Sequence, residues 1–179
     1  MSGINFLGIP VEGDIHMSSR SHIDQRPAED LGPLIQAVFL YDTVRGIRWA
    51  QYTPYFNDGD VCEFGASELC FLLDTTASTL AGEREDGWVS HYDIEVRGGE
   101  EVRYESRETR GRSGYRAWEY VAIPTGITFS AHPAHQAMEA LAHAIEQGAF
   151  DVALLKAFGD HATVTVTRDV INVEFYEHE

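Results

Sequence analysis

The order of apolar and polar positions divides the chain into stretches with helical and strand-like periods. Leu31, Leu34, Ile35, Val38 and Phe39 recur at i, i+3, i+4, i+7 and i+8, which predicts an amphipathic helix over 30–45. Glu29 and Asp30 suit the positive end of that helix, Pro33 is tolerated in its first turn, and Arg45-Gly46 marks its end. The period then changes to two. Ile47, Trp49, Gln51 and Thr53 alternate with Arg48, Ala50 and Tyr52, as in a strand. Asn57-Asp58-Gly59-Asp60 has turn chemistry, because Asn, Asp and Gly tolerate positive φ. Residues 61–73 return as a paired strand with Gly65 as its weak point, 74–87 read as a loop, and 88–96 alternate again as a third strand.

Residues 97–116 carry few apolar side chains and read as an Arg-rich loop, with strand character around Val102-Tyr104 only. Residues 117–123 form a short element ending at Pro124. A second long helix is predicted over 131–147, with Ser130 as N-cap, Pro133 in the first turn and Gly148 as its stop. Its buried face is Ala134, Ala137, Met138, Leu141 and Ile145. A shorter helix follows over 151–158, capped by Asp151 and terminated by Gly159. A hairpin about Arg168-Asp169 closes the chain, with Val164 and Val166 inward on one arm and Ile171, Val173 and Phe175 inward on the other. The expected architecture is α+β: one domain over 1–179 with an irregular segment 1–27. An antiparallel sheet of four to six strands carries two main helical segments, 30–45 and 131–158, on one face.

Composition narrows the function classes. At 44% hydrophobic the chain can bury a core, and no run approaches the ~20 apolar residues of a membrane span. The first residues, Met1-Ser2-Gly3-Ile4-Asn5-Phe6-Leu7, lack a basic region, so no signal peptide is expected and the location is read as cytoplasmic. Cys62 and Cys70 lack metal-like spacing and read as reduced core thiols. The net charge is −16, and lysine occurs once, at Lys156. A field of that sign repels nucleic acid and favours solubility or a cationic protein partner. The segment 97–116 is the exception: its six arginines against four glutamates leave +2, where 1–96 carry −11 and 117–179 carry −7.

Several constellations could carry chemistry, each against a structural alternative. Asn57, Asp58, Asp60 and Glu63 could hold calcium, but the twelve-residue ligand pattern is missing and a self-satisfied turn explains them. Tyr52, Tyr55 and Phe56 beside that turn could form an aromatic binding ridge. His132, His135, Glu139 and His143 share a helical face without the tight H-E-x-x-H spacing, which suits the polar side of an amphipathic helix better than a metal site. No metal or cofactor is expected. Asp160-His161 could act as an acid-base pair or close a helix. Arg103, Arg107, Arg110, Arg112 and Arg116, interleaved with Tyr104 and Tyr115, could grip a phosphate-bearing ligand or pair with Glu100, Glu101, Glu105 and Glu108. No nucleophile elbow, dinucleotide fingerprint or P-loop is present.

The segment W-A-Q-Y-T-P-Y-F-N-D-G-D-V-C-E-F, residues 49–64, resembles a pattern in small bacterial and phage proteins without an established activity. Residues 157–161, A-F-G-D-H, followed by V-T-V-T-R-D at 164–169 and E-F-Y-E-H-E at 174–179, are similar to the end of such proteins, although Val170 stands where those relatives tend to have glycine. The resemblance implies a shared fold and a phage setting. The leading expectation is a non-enzymatic acidic protein that binds a host or defence protein. A metal- or acid-base-dependent hydrolase and a small phosphate-ligand binder are the alternatives. Both halves of the resemblance alternate strongly, so 47–53 and 162–176 are expected in one sheet.

Overall fold

The computed structural model describes residues 5–6, 9–10, 23–55, 59, 62–74, 87–110 and 116–175. Its centre is a five-stranded antiparallel sheet in the order β5-β4-β3-β8-β9, formed by β3 (Val44–Tyr52), β4 (Gly65–Leu73), β5 (Trp88–Ser90), β8 (Ala162–Val166) and β9 (Ile171–Phe175). The helices are α1 (Leu31–Phe39), the single turn α2 (Ile94–Arg97), α3 (His135–Glu146) and α4 (Asp151–Phe158). A two-stranded sheet joins β6 (Gly99–Arg110) to β7 (Arg116–Phe129), and the short strands β1 (Asn5–Phe6) and β2 (Ile9–Pro10) pair with each other. The α+β class and the antiparallel sheet agree with the pattern of the sequence. So does the pairing of β3 with β8, which sets Trp49 opposite Val164 and Gln51 opposite Ala162.

The core lies between one face of the sheet and the helices. Ile47, Trp49, Leu69, Phe71, Val164 and Val166 from the strands meet Val38 of α1, Leu154 of α4, and Met138, Leu141 and Ile145 of α3. The period-3.6 stripe of α3 falls on the buried face as expected, with Ala142 added and Ala137 at its margin. Trp49 meets Phe158 edge-on at 5.9 Å between ring centres, which seats α4 on β3.

Several boundaries differ from the sequence reading, each for a local reason. The first helix ends at Phe39 rather than near Arg45, because Val44 already pairs with Leu73. Its exit is held by Arg168, whose guanidinium donates to the carbonyls of Phe39 (2.6 Å), Tyr41 (3.1 Å) and Val44 (3.4 Å). The third strand stops at Ser90: the Asp93 carboxylate accepts from the Ser90 N–H (2.7 Å) and turns the chain into α2. Helix α3 starts at His135 and not at Ala131, and His132 Nδ1 accepts from the Ala134 N–H (3.1 Å) in place of a Ser130 cap. Helix α4 is capped not by Asp151 but by Gln25, whose Oε1 accepts from the Val152 N–H (3.0 Å). Gln25 Nε2 also donates to the Gly148 carbonyl (2.7 Å), so the end of the 1–27 segment is tied to the α3–α4 junction.

Two corrections matter for function. Residues 97–116 are not a loop: 99–110 form β6 and pair with a 14-residue β7, continuously from Val102 to Arg110. The element over 117–123 runs through Pro124, which lies opposite Val102 beside a register shift where the ladder is already interrupted. The second correction concerns β9. Ile171, Val173 and Phe175 share the core-side face with Val166, Val164 and Ala162, yet they stay 47%, 47% and 78% exposed, because the described helices do not reach over the last strand. The turn before β9 needs no glycine. The Thr167 hydroxyl donates to the Val170 carbonyl (3.0 Å), and the Thr167 N–H closes on the same carbonyl (2.9 Å).

Candidate functional site

The distinctive segment 49–64 and the Gly-Asp-His near the end of α4 meet at one end of the sheet. Gln51 is fully buried. Its Nε2 donates to the carbonyls of Gly159 (2.6 Å) and Leu154 (3.3 Å), and its Oε1 accepts from the Trp49 indole N–H (3.0 Å). Both amide ends are therefore committed to joining β3 to the end of α4. One step on, the Asp160 carboxylate accepts from the Thr53 N–H (2.8 Å) and the His161 N–H (2.8 Å). Burial pushes the Asp160 carboxyl up, but the hydrogen bonds from Thr53 and His161 outweigh it and hold the group below its ordinary value.

His161 sits at φ +57°, a conformation that costs a non-glycine residue on the order of 1 kcal/mol or more. Its ring stacks on Tyr55 with 5.0 Å between centres and lies 6.4 Å from Tyr52 and 6.5 Å from Phe175. Its Nε2 stands 3.9 Å from the Asp160 carboxylate, too far for the hydrogen bond an acid-base pair uses. Among the sequence candidates here, Tyr52 is half-buried and Tyr55 exposed. Phe56, Asn57, Asp58 and Asp60 lie outside the described residues. The ends of this network bind each other, which makes it a clasp between β3, α4 and β8.

The histidines of 132–143 do not form one face. His132 turns into the core and bonds the Thr43 hydroxyl through Nε2 (3.2 Å), and burial lowers its pKa from the ordinary value. Glu139 and His143 line an open groove of about 490 Å³ beside Arg26, Leu34 and Gln147. His91, buried under α3, is likewise lowered by burial against the opposing pull of Glu146 and Glu139. Among the described residues no three metal-ligating side chains come together, and no helix is long and apolar enough to cross a membrane. Cys62 and Cys70 form no disulfide and are half-buried rather than core residues.

The arginines fall on the β6–β7 hairpin. Arg103 and Arg107 project from one face of β6, alternating with Tyr104, Ser106 and Glu108 on the other. Arg116 begins β7 opposite Arg110 and is paired with Glu108 (3.1 Å); Arg112 lies outside the described residues. Among the described side chains, Arg103 and Arg107 lie on one face of the ribbon and Arg116 on the other. What the hairpin does assemble is aromatic. Tyr104 of β6 lies diagonal to Tyr120 of β7, and Trp118 continues the same face, at 67%, 73% and 62% exposure. Val102, Ala122 and Pro124 extend that face toward the root.

Trp118 and Tyr120 were not among the sequence candidates. Their signal was present: Trp118, Tyr120 and Ala122 alternate with Glu119, Val121 and Ile123 after the glycine-bearing string at 111–115. The arm is anchored at its root. Gly98 has φ +74°, and a Cβ there would lie 2.5 Å from the Ala131 backbone nitrogen. The adjacent His132 N–H donates to the Val96 carbonyl (2.8 Å). The chain thus defines a two-layer α+β domain bearing a long two-stranded arm. Comparison with protein-family models, curated proteins and solved structures finds no match to it.

Proposed function

We propose that this is a non-enzymatic binding protein that engages another protein through the β6–β7 arm. The observation that carries the reading is the arm itself. An isolated two-stranded ribbon is marginal in water, and this one leaves two tyrosines and a tryptophan uncovered along one face. Rigid aromatic side chains are the commonest anchors at protein interfaces. In the phage setting suggested by the resemblance, the protein would work in the cytoplasm, and the partner would be a host or defence protein. The strongly acidic remainder of the chain would steer a basic partner toward it.

The hydrolase alternative draws less support, since the Asp160 carboxylate is engaged by backbone N–H groups and His161 is stacked on Tyr55. The phosphate-binding alternative draws less support, since Arg103 and Arg107 lie on one face of the ribbon and Arg116, paired with Glu108, on the other. The test compares affinity capture from host lysate by the intact chain and by a Tyr104→Ser, Trp118→Ser, Tyr120→Ser variant. Proteins held by the first and released by the second are expected. Equal capture by both baits would remove the arm from the function. Hydrolytic turnover abolished by Asp160→Asn would replace the reading with the enzyme.

A further inference from the structure

We infer that His132 is a proton-operated latch for the β6–β7 arm: neutral, it pins the arm's root to the domain, and protonated, it lets the root and α2 open while the five-stranded sheet stays folded. The inference goes beyond the docking role and does not depend on what the arm binds.

His132 follows the end of β7 by three residues, is 8% exposed, and has each of its polar groups engaged. Its N–H donates to the Val96 carbonyl of α2 (2.8 Å), and its carbonyl accepts from the His135 N–H of α3 (2.9 Å). Ring Nδ1 accepts from the Ala134 N–H (3.1 Å), and Nε2 bonds the Thr43 hydroxyl before β3 (3.2 Å). One residue thus ties the exit of the arm to three parts of the body. A backbone N–H can only donate, so Nδ1 is the bare acceptor and Nε2 carries the ring proton. Protonation would place a second N–H on Nδ1, facing the Ala134 N–H at a buried position. The bond becomes a repulsion, and the buried donor of Ala134 loses its acceptor.

The topology makes a local response possible. Among the described residues, β6 and β7 share no ladder with the five-stranded sheet. The root is held by Val96 in the core, by the close approach of Gly98 to Ala131, and by His132. A segment with so few ties opens at less cost than the whole domain unfolds.

The charged surroundings single out His132. Glu95 and Arg97 of α2, His135 of α3, and Asp42 and Arg45 beside Thr43 lie on the elements packed against it, yet burial alone holds its pKa below the ordinary 6.5. Opening to water restores that value, so closure is fully favoured above about pH 6.5 and weakens as pH falls toward the lower, closed value. His91, 5% exposed, stands at the other root, in the turn from β5 to α2. It faces Glu146, Glu139 and His135 of α3 and Asp93 of its own turn. The carboxylates there offset part of the cost of a charge, which leaves His132 the more sensitive of the two.

Hydrogen exchange of the full chain, read amide by amide by NMR and corrected for the pH dependence of the chemical step, tests this. At pH 7.5 the amides of Gly98, His132 and Ala134 are expected to exchange faster than those of β3 and β8, with little response to low urea, the mark of a local opening. At pH 5.5 that opening should increase by up to about tenfold, the limit for one histidine over this range. His132→Asn keeps an acceptor for the Ala134 N–H, in the i to i+2 geometry natural to Asn, and has no proton to gain. It should remove most of the increase, and His91→Asn should remove less. Root amides that open only together with β3 and β8, at the same urea dependence, would overturn the inference. So would root opening equal at the two pH values, or an increase undiminished in His132→Asn. Should that variant fail to fold, an increase abolished by His91→Asn would assign the proton to His91 and overturn the inference, and one retained there would support it.

Discussion

The clasp at the end of β3 and the β6–β7 arm treat their polar and aromatic groups in opposite ways. In the clasp, Trp49, Gln51, Thr53 and Asp160 are joined to one another and to α4 by hydrogen bonds, and His161 stacks on Tyr55 with its buried Nδ1 left without a hydrogen-bond partner. In the arm, Tyr104, Trp118 and Tyr120 stay largely exposed to solvent on a two-stranded sheet. A distinctive string of residues is therefore not in itself a sign of chemistry. Buried polar groups need partners of fixed identity, so a structural clasp constrains its sequence as tightly as an active site would. An exposed aromatic face constrains only alternation, and so it reads as unremarkable.

The largest expected effect tests the clasp. Gln51→Leu removes the acceptor of the Trp49 indole and the donor to two carbonyls without changing the size of the side chain much. It should destabilise the domain by about 3 kcal/mol in urea unfolding, since buried groups left unpaired cost more than a hydrogen bond is worth. A loss within experimental error of zero would mean that the network is not what joins β3 to α4, and the contrast with the arm would fall.

Much of the fold was legible because its signals are local. The stripe of α3, the alternation of 47–53 and the closing hairpin were each readable from period alone, and the pairing of β3 with β8 followed from the need of alternating segments for partners. Three features were not. Cross-strand pairing made Arg103, Glu105, Arg107 and Glu119 into an ordinary charged ribbon face, although as a string they look like a loop. The exposure of Ile171, Val173 and Phe175 depends on where the helices end over the sheet, which no period encodes. The caps were also hidden: Gln25 serves α4 from 127 residues away, and a distant side chain leaves no local mark.

A smaller effect concerns the arm's root. His132 is buried, accepts from the Ala134 N–H and bonds Thr43, so it is held neutral, with its pKa below the ordinary 6.5. In the unfolded chain it titrates at that ordinary value. As pH falls through about 6.5, the unfolded state takes up a proton that the folded state resists, and stability declines until the lower folded value is reached. His91, lowered in the same direction, adds to the slope. Urea unfolding at pH 7.5 and 5.5 should show this loss, and His132→Gln should reduce its size while lowering stability at both values. An unchanged slope in the variant would show that His132 is not one of the groups responsible.

The smallest expected effect is the one that most sharply separates the two regions. Trp118→Ser with Tyr120→Ser removes two large aromatic side chains, a change that would cost several kcal/mol in a core. On the arm they cover little, so the cost to the isolated subunit should stay within about 0.5 kcal/mol, the range of ordinary surface substitutions. The measurement must be made at dilutions where the wild type is monomeric, because any partner bound to the folded state adds apparent stability by mass action. Under that condition the variant and wild-type unfolding curves should coincide. A large loss at high dilution would mean that the aromatic face packs within its own subunit, and the arm would then be a structural element, like the clasp, rather than the surface that reaches a partner.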